Sequence, residues 1–443
     1  VRTHRYRVDD GVRSVARSLL PFRLTAAQKR SLGEIVADLT RESPMERLLQ
    51  GDVGSGKTIV AAIALAVALQ SGLQGAFMAP TEILAEQHFA GLLRLLGSRY
   101  RLGLFTRSAP DLAAARAALA RGEIQLAVGT HALVQEGTRF RRLGLAVIDE
   151  QHRFGVAQRQ LLQGKGERPD LLVMTATPIP RSLTLALYGD LDLSTLDELP
   201  PGRTPIATEV VATGQRKKIY ARLAMALADG ARAYVVAPLI EASEQVRAAS
   251  VEELFAFVAD TLGGVRCAML HGRMPPSERE ATLAAFARGE ISVLVATTVV
   301  EVGLDVPEAT WMVIESAERF GLAQLHQLRG RVGRGSSPST CVAIHGKTTD
   351  EARRRLEVFA GTTDGFRISE ADLEIRGPGE LLGTRQAGMP ELRVANLLLD
   401  QDWLAIARDD ARELLARWHE PALESLRARV EPRVAARRGL GAG

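Results

Sequence analysis

Gly51-Asp52-Val53-Gly54-Ser55-Gly56-Lys57-Thr58 combine the residue types needed to hold a row of phosphates. They read G-x-x-x-x-G-K-T, between the apolar pair Leu48-Leu49 and the Ala/Val/Leu-rich stretch Ile59 to Leu69. In a strand–loop–helix setting the glycines let backbone N–H groups turn toward an anion, and the helix N-terminus adds partial positive charge. Lys57 is placed to meet the β- and γ-phosphates, and the Thr58 hydroxyl to ligate Mg²⁺. A second element, Leu143 to Ile148 followed by Asp149-Glu150-Gln151-His152, ends an apolar strand in two acids. Asp149 is expected to hold Mg²⁺ through water, and Glu150 to orient and activate the attacking water. ATP with Mg²⁺ is the expected ligand.

These residues need a scaffold that ends strands beside one another. From about residue 46 to 197, apolar runs (Gln74–Ala79, Leu102–Phe105, Ile124–Val128, Leu143–Ile148, Leu171–Met174, Leu191–Leu196) alternate with helix-like stretches (Glu82–Leu96, Asp111–Arg121, Arg181–Tyr188). That alternation predicts a mostly parallel sheet covered by helices. Glu198-Leu199-Pro200-Pro201-Gly202-Arg203-Thr204-Pro205 cannot continue a helix or a central strand and reads as an interdomain linker. The alternation then restarts. Strands are predicted at Ala207–Ala212, Ala233–Ala237, Arg266–Leu270, Ser292–Ala296, Trp311–Glu315 and Cys341–Ile344, and helices at Gln215–Ala228, Val251–Leu262 and Ser277–Arg288. Past about residue 348 a helical tail is expected, interrupted at Arg376-Gly377-Pro378-Gly379 and Gly383-Thr384-Arg385. The expected domains are a lead-in or remnant linker at 1–20, an ATP-binding domain at 21–198, a second α/β domain without its own P-loop at 199–348, and the tail at 349–443.

Bulk properties agree with this plan. The chain has 443 residues, 46% hydrophobic and 24% charged, which suits two or three globular domains. No apolar run reaches the roughly 18–20 residues of a membrane span. Val1-Arg2-Thr3-His4-Arg5 opens without a signal-peptide apolar core or an initiator Met, so a fragment or a processed chain is expected. Cys267 and Cys341 sit in separate apolar runs and are expected as buried strand residues in a reducing cytoplasm. No Cys/His spacing suggests zinc. The net charge is +4 with arginine well ahead of lysine, which leans toward a polyanionic partner.

The motif set resembles the superfamily-two helicases and translocases, which implies two tandem RecA-like domains. Leu24-Thr25-Ala26-Ala27-Gln28 resembles that family's adenine-reading element, with Gln28 the reader. Ala79-Pro80-Thr81-Glu82 and Gly129-Thr130-His131 resemble its strand-end loops that hold a nucleic-acid strand by its phosphates. Thr175-Ala176-Thr177 resembles the element linking ATP state to domain closure. Ala296-Thr297-Thr298-Val299-Val300-Glu301-Val302-Gly303-Leu304-Asp305 and Gln324 to Gly335 resemble its last two motifs. The resemblance implies that Gly303 and Asp305 face the nucleotide, and that Arg334 acts as an arginine finger with Arg331 also reaching the phosphates. Lying three apart, these arginines are expected on one helix face, and Gln327 and Arg331, four apart, are expected to share a face too.

A narrower resemblance is to the RecG family of bacterial ATP-dependent DNA helicases, over roughly residues 19 to 420. It rests on Asp149 to Val156, Gly321 to Leu328, and the block Asp364-Gly365-Phe366 with Asp372 to Gln386. The resemblance implies a helical hairpin coupling ATP hydrolysis to movement along double-stranded DNA, with Arg376, Arg385 and Gln386 as transmission elements. It implies action on stalled forks and Holliday junctions. RecG proteins carry a wedge domain before the motor. Here about twenty residues precede Leu20-Pro21-Phe22, too few for a five-stranded barrel, so a motor fragment or a truncated product is expected.

DNA, duplex and branched, is the expected partner, with no membrane. Aromatics make up 5% of the chain, so contact should run mainly through phosphates with little base specificity. A cytoplasmic monomer is expected, with single-strand-binding protein a candidate partner. Asp-Glu-Gln-His leans away from RNA. His131, His152, His271 and His326 lie within motifs, while His88 and His345 read as satisfied imidazoles. The alternatives are a transcription-repair coupling translocase and an ATP-binding scaffold without turnover. The presence of Lys57, Asp149, Glu150, Arg331 and Arg334 argues against the scaffold.

Overall fold

β5 (Leu143–Ile148) and β6 (Asp170–Thr175) are buried at every position. Runs of this kind have no face for water and belong in a parallel sheet covered on both sides. The computed structural model describes residues 4–9, 20, 22–150, 164–165, 168–176, 191–200, 205–238, 244–297, 306–335, 337–381 and 400–440. Two compact units result, one of Val1–Pro178 with Asp192–Ile368, the other of Ile179–Leu191 with Ser369–Gly443.

The first unit holds two sheets. In the first, β1 (Glu46–Gly51), β2 (Gln74–Met78), β3 (Leu102–Phe105), β4 (Leu126–Gly129) and β7 (Asp192–Leu196) join β5 and β6 in the order β3-β4-β2-β5-β6-β1-β7. The second is built from β8 (Ala207–Ala212), β9 (Arg232–Val236), β10 (Cys267–Leu270), β11 (Val293–Ala296), β12 (Ala309–Ile314) and β13 (Thr340–His345), in the order β10-β11-β9-β12-β13-β8. Every pairing in both sheets is parallel.

Helix α1 (Ala26–Leu39) starts from a capping box: Gln28 N–H donates to Thr25 Oγ1 (3.2 Å) and Thr25 N–H to Gln28 Oε1 (3.0 Å). Helix α2 (Lys57–Gln70) is buried from Val60 through Leu69, and its alanines let it sit close to the sheet within the first core. Helix α3 (Glu82–Leu96) is capped by Thr81 and turns Ala85, Leu92 and Leu96 inward. Helix α4 (Leu112–Arg121) completes this lobe. Around the second sheet lie α5 (Arg216–Ala228), α6 (Glu244–Thr261), α7 (Pro276–Arg288), α8 (Leu322–Arg329) and α9 (Asp350–Gly361). Helix α9 buries Ala352, Leu356 and Phe359 and belongs to the first unit.

Several details depart from the sequence reading. Residues 4–8, expected as lead-in, are tied down: the Tyr6 hydroxyl lies 2.6 Å from Asp170 Oδ2 and 2.8 Å from the Gly144 carbonyl, with His4 Nε2 at 3.2 Å from the same carboxylate. Cys341 is buried as expected, but Cys267 on β10 is only half-buried. Helix α10 (Gly365–Leu381) runs through Arg376-Gly377-Pro378-Gly379, where an interruption was expected. One proline removes a single i→i−4 bond, which a helix of 17 residues carries from both sides. The predicted segment Arg181–Tyr188, and Gly383-Thr384-Arg385, lie outside the described residues.

The second unit, as described, consists of α10 from Ser369 onward, α11 (Gln401–Ala416) and α12 (Glu424–Leu440). No helix among the described residues is long and apolar enough to cross a membrane.

Candidate nucleotide site and the flanking strand ends

A parallel sheet places all its loops of one kind along one edge. β1 ends at Gly51 and delivers the glycine-rich loop; two strands away β5 delivers Asp149 and Glu150; β6 between them delivers Thr175, paired with Gln50. Gly54 and Gly56 have φ of 79° and 88°. These are left-handed conformations that glycine adopts without strain. A Cβ on Gly56 would also lie 2.3 Å from Gln28 Nε2. The N-terminus of α2 has no side-chain cap, so its N–H groups are open to an anion.

Lys57 is buried. Its Nζ donates to the carbonyls of Gly51 (2.8 Å) and Asp52 (2.9 Å). Burial lowers its pKa, against the pull of Glu150, Asp149 and Asp52. Ser55 Oγ is buried with no hydrogen-bond partner. An open loop of amides, an uncapped helix start, a buried ammonium and an unmet hydroxyl fit a nucleotide's phosphates. Thr58 is half-buried beside Lys57, and Asp149 stands at the end of β5. Among the described residues no group of three or more His, Cys, Asp or Glu side chains gathers as a metal site. Two protein oxygens completed by phosphates suit Mg²⁺ better than an all-protein cage does.

Burial opposes ionisation of Asp149, but His88 and Lys57 outweigh it and hold the carboxyl below its usual range. His88 Nε2 donates to Asp149 Oδ2 over 2.8 Å, and its ring lies 4.5 Å from that of Phe77. Burial, then the charge of Asp149, push Glu150 up to about 7, against Lys57 and Arg331. Glu150 has φ of 53°, the left-handed region.

The arginines come from the second lobe, but not from a helix face. Helix α8 stops at Arg329 with Gly330 as its cap, so Arg331 and Arg334 lie in the following turn and Gln327 shares no helical face with Arg331. The expected helix does not continue past that cap, and Gly333 holds φ of 73° further along the turn. Arg334 Nε donates to the Gly330 carbonyl (3.2 Å). The charge of Arg331 acts on Glu150 and that of Arg334 on Lys57. A Cβ on Gly330 would come within 3.1 Å of Val53, so the arginine-bearing turn lies against the P-loop.

Gln28 is buried with its amide already engaged. Its Oε1 closes the capping box and its Nε2 donates to the Ser55 carbonyl (2.8 Å). The side chain thus braces the P-loop. Asp52, expected among the nucleotide-binding residues, turns its carboxylate elsewhere: it accepts from Val53 N–H (2.6 Å), His326 Nε2 (2.7 Å) and Gly365 N–H (3.3 Å).

The strand-end residues occupy one edge. Pro80 and Thr81 follow β2, and Thr81 Oγ1 accepts from Leu84 N–H (3.4 Å). Gly129 ends β4 and Thr130 follows it; a Cβ on Gly129 would lie 2.2 Å from the Phe105 carbonyl, while Thr130 N–H donates to that carbonyl (3.1 Å). His131 is exposed at the start of a short 3₁₀ turn. In the second sheet Thr297 follows β11, buried, its Oγ1 without a hydrogen-bond partner. Arg376 lies on α10. Thr177, Gly303, Asp305, Arg385 and Gln386 lie outside the described residues.

Sequence reasoning missed two contacts of this site. His88 was read as a satisfied imidazole without a role, and it is satisfied, but by Asp149. The signal was its place in line with Ala85, Leu92 and Leu96 on the buried face of α3, where a lone titratable group needs a partner. The Asp52–His326 bond joins residues 274 apart and left no local trace.

Comparisons with known proteins agree with this geometry. Residues 25–185 match the family described as DEAD/DEAH box helicase, and residues 216–336 the helicase conserved C-terminal domain. Residues 362–426 match the C-terminal part of domain 3 of ATP-dependent DNA helicase RecG. The ATP-dependent DNA helicase RecG of Synechocystis sp. is 50% identical over 411 residues, covering 92% of this chain and 49% of that protein. Its counterpart in Acidithiobacillus ferridurans is 52% identical over 400 residues, covering 89% and 58%. A solved structure of RecG bound to a three-way DNA junction superposes with a TM-score of 0.78 at 42% identity, covering 90% of this chain and 53% of that one. Yeast Dbp5 bound to RNA and ADP BeF3 shares the fold at a TM-score of 0.57 and 15% identity, over 84% and 93%. The fold and the matched families define a helicase core of two RecA-like lobes. Within that class the matched relatives are RecG helicases, about half identical to this chain over nine-tenths of its length. The chain spans about half the length of the curated relatives it matches.

Proposed function

We propose that this chain is the motor of an ATP-dependent DNA helicase or translocase that remodels branched DNA such as stalled forks and Holliday junctions. The observation that carries this reading is the meeting of the two lobes: Arg331 and Arg334 of the second act on Glu150 and Lys57 of the first. In this reading residues 21–198 bind ATP, 199–348 supply the arginines, and 349–443 transmit closure to DNA.

Lys57 and the P-loop amides hold the β- and γ-phosphates, and Glu150 takes the proton of the attacking water. Its raised pKa near 7 makes it a better proton acceptor than an ordinary carboxylate while a fraction stays ionised. Thr58 and Asp149 would hold Mg²⁺ beside the phosphates, where it would supply neutralising charge. Arg334 acts as the finger with Arg331 beside it. Pro80, Thr81, Gly129, Thr130 and His131 at the strand ends contact DNA phosphates, and Thr175 and Thr297 pass the ATP state to them. Thr177, Gly303, Asp305, Arg376, Arg385 and Gln386 keep the nucleotide and coupling roles that the family resemblance implies. The working form is taken as a cytoplasmic monomer, with single-strand-binding protein a partner of the whole protein.

The test is the ATPase rate without nucleic acid and with single-stranded DNA, duplex, three-way junction and RNA. The reading requires stimulation by DNA, greatest with the junction. Turnover that no nucleic acid changes would sink it, and stimulation by RNA above DNA would move the protein to another substrate class.

A further inference from the structure

Asp52 is the second residue of the P-loop, yet its carboxylate faces away from the loop's amides, apart from one bond to Val53 N–H. It collects three donors from three places: Val53 N–H of its own loop (2.6 Å), His326 Nε2 on α8 (2.7 Å) and Gly365 N–H at the start of α10 (3.3 Å). Burial works most strongly against its ionisation, but His326, the Val53 N–H and the charge of Lys57 together outweigh it and hold the carboxyl below its usual range.

The bond on the far side of His326 fixes which nitrogen carries the proton. Arg329 Nη2 lies 3.0 Å from His326 Nδ1. A guanidinium has no acceptor, so Nδ1 must hold the lone pair and Nε2 the proton. That tautomer points a donor straight at Asp52. Arg329 is itself locked: fully buried, it donates through Nη1 to the Phe359 carbonyl on α9 (2.8 Å), lies near Thr208 Oγ1 (3.4 Å), and sits over the Phe359 ring at 4.6 Å. The chain of donors therefore runs from the second sheet through Arg329 and His326 to the P-loop. One residue after Arg329 begins the turn that carries Arg331 and Arg334.

We propose that Asp52, His326 and Arg329 form a positioning relay that sets the arginine-bearing turn against the P-loop, with the Gly365 N–H as a second arm from the start of α10. This rests on the ATP-site reading above and deepens it. Each member acts through another residue, so all three are positioning residues and none touches the reacting atoms. An Asp52 side chain serving only to cap its own loop would need the Val53 bond alone.

The experiment measures DNA-stimulated ATPase on this chain, with kcat and KM separated and nucleotide affinity read from a fluorescent ATP analogue. Asp52→Ala and His326→Ala should each lower kcat about tenfold or more, the scale of a lost hydrogen bond to a charged group, with KM and nucleotide affinity little changed. The double variant should lose no more than the worse single one, since both remove one link. His326→Gln, which keeps a donor toward Asp52, should recover much of the loss. Independent, multiplying losses would overturn the relay. So would a fall in thermal midpoint that tracks kcat with no rescue by glutamine.

Nitrogen NMR of labelled histidines separates this from the function reading, because it needs no turnover. His326 should show a protonated Nε2 and an unprotonated Nδ1, and Asp52→Ala should shift the Nε2 signal. The opposite tautomer overturns the relay whatever the ATPase does. A parent chain without ATPase but with the expected tautomer overturns the motor reading and leaves the relay standing.

Discussion

The two sheets of the first unit are wound alike, and yet only one builds a nucleotide site. Taken strand by strand, β3-β4-β2-β5-β6-β1 and β10-β11-β9-β12-β13-β8 are the same order, with β7 an addition to the first. The likeness reaches single residues. β5 is followed by Asp149 and then Glu150 with φ of 53°; β12 is followed by Glu315 and then Ser316 with φ of 50°. Lys57 is the first residue of α2, and Arg216 the first of α5. In the second lobe that cation and acid close on each other: Arg216 Nε donates to Glu315 Oε1 (2.8 Å), Tyr220 adds its hydroxyl to the same oxygen (2.8 Å), and the guanidinium stacks 3.6 Å from the Phe257 ring centroid. In the first lobe Lys57 reaches main-chain carbonyls and the glycines keep the loop open above it. A direct ion pair fills the place a phosphate would take. The open arrangement leaves a buried charge to be met by a ligand, and the closed one meets its charge within the protein.

The comparison is broken most sharply by the groups that the second lobe lends to the first. Arg334→Ala should lower turnover by about 10³–10⁵, the range known for arginine fingers, with ATP affinity little changed, and lysine should rescue poorly for want of the planar fork. An unchanged rate takes Arg334 out of the site.

Glu150→Gln comes next. Hydrolysis should fall by about 10²–10⁴ while an ATP analogue still binds. The same variant has a stability signature in the ligand-free chain. Glu150 titrates near 7 folded against 4.5 for an ordinary glutamate, so the folded state binds the extra proton between those values and parent stability falls as pH rises through that window. Relative to the parent, Glu150→Gln should therefore gain about 3 kcal/mol between pH 4.5 and 7. Denaturation midpoints at the two pH values check the sign, and a gap that narrows with rising pH contradicts it.

Arg216→Ala tests the closed lobe. It leaves Glu315 buried beside Tyr220 with its cation gone, a loss of about 2–3 kcal/mol. Turnover at a temperature where the variant is folded should stay near that of the parent. A large loss of turnover without a loss of stability would mean that the second site is not closed in function.

What could be read in advance divides along physical lines. Parallel strands buried on both faces leave unbroken apolar runs, so β3, β5 and β8 were predicted residue for residue. The glycines at 51, 54 and 56 and the acids after β5 were legible because phosphate chemistry constrains them in one short segment. What escaped was nonlocal or lay at an element's end. The spacing of Arg331 and Arg334 was interpreted as helical because nothing in a count of three reveals that Gly330 caps the helix at Arg329. The sequence pointed Asp52 at the nucleotide, while its side chain answers to His326. Helix α10 continues across Gly377-Pro378-Gly379 because local propensity alone does not set where a longer helix ends.

The smallest effect separates the two lobes most finely, because it concerns how each acid is held. His88 donates to Asp149 from the helix that Thr81 begins, and Tyr220 donates to Glu315 from the helix that Arg216 begins. Only the first of these acids is assigned a metal. Partners that orient a metal-bound ligand cost about 10–100-fold when removed, and a bond to a single carboxylate oxygen belongs at the lower end. His88→Ala should thus lower turnover about tenfold and raise the Mg²⁺ concentration needed for half-maximal rate, and His88→Asn should recover part of it. Tyr220→Phe should leave the Mg²⁺ dependence where it was and lower only the denaturation midpoint. Magnesium titrations of the ATPase on both variants decide the matter. If His88→Ala changed stability but not the Mg²⁺ requirement, the two acids would be held for the same reason, and the first lobe would differ from the second only in its loop.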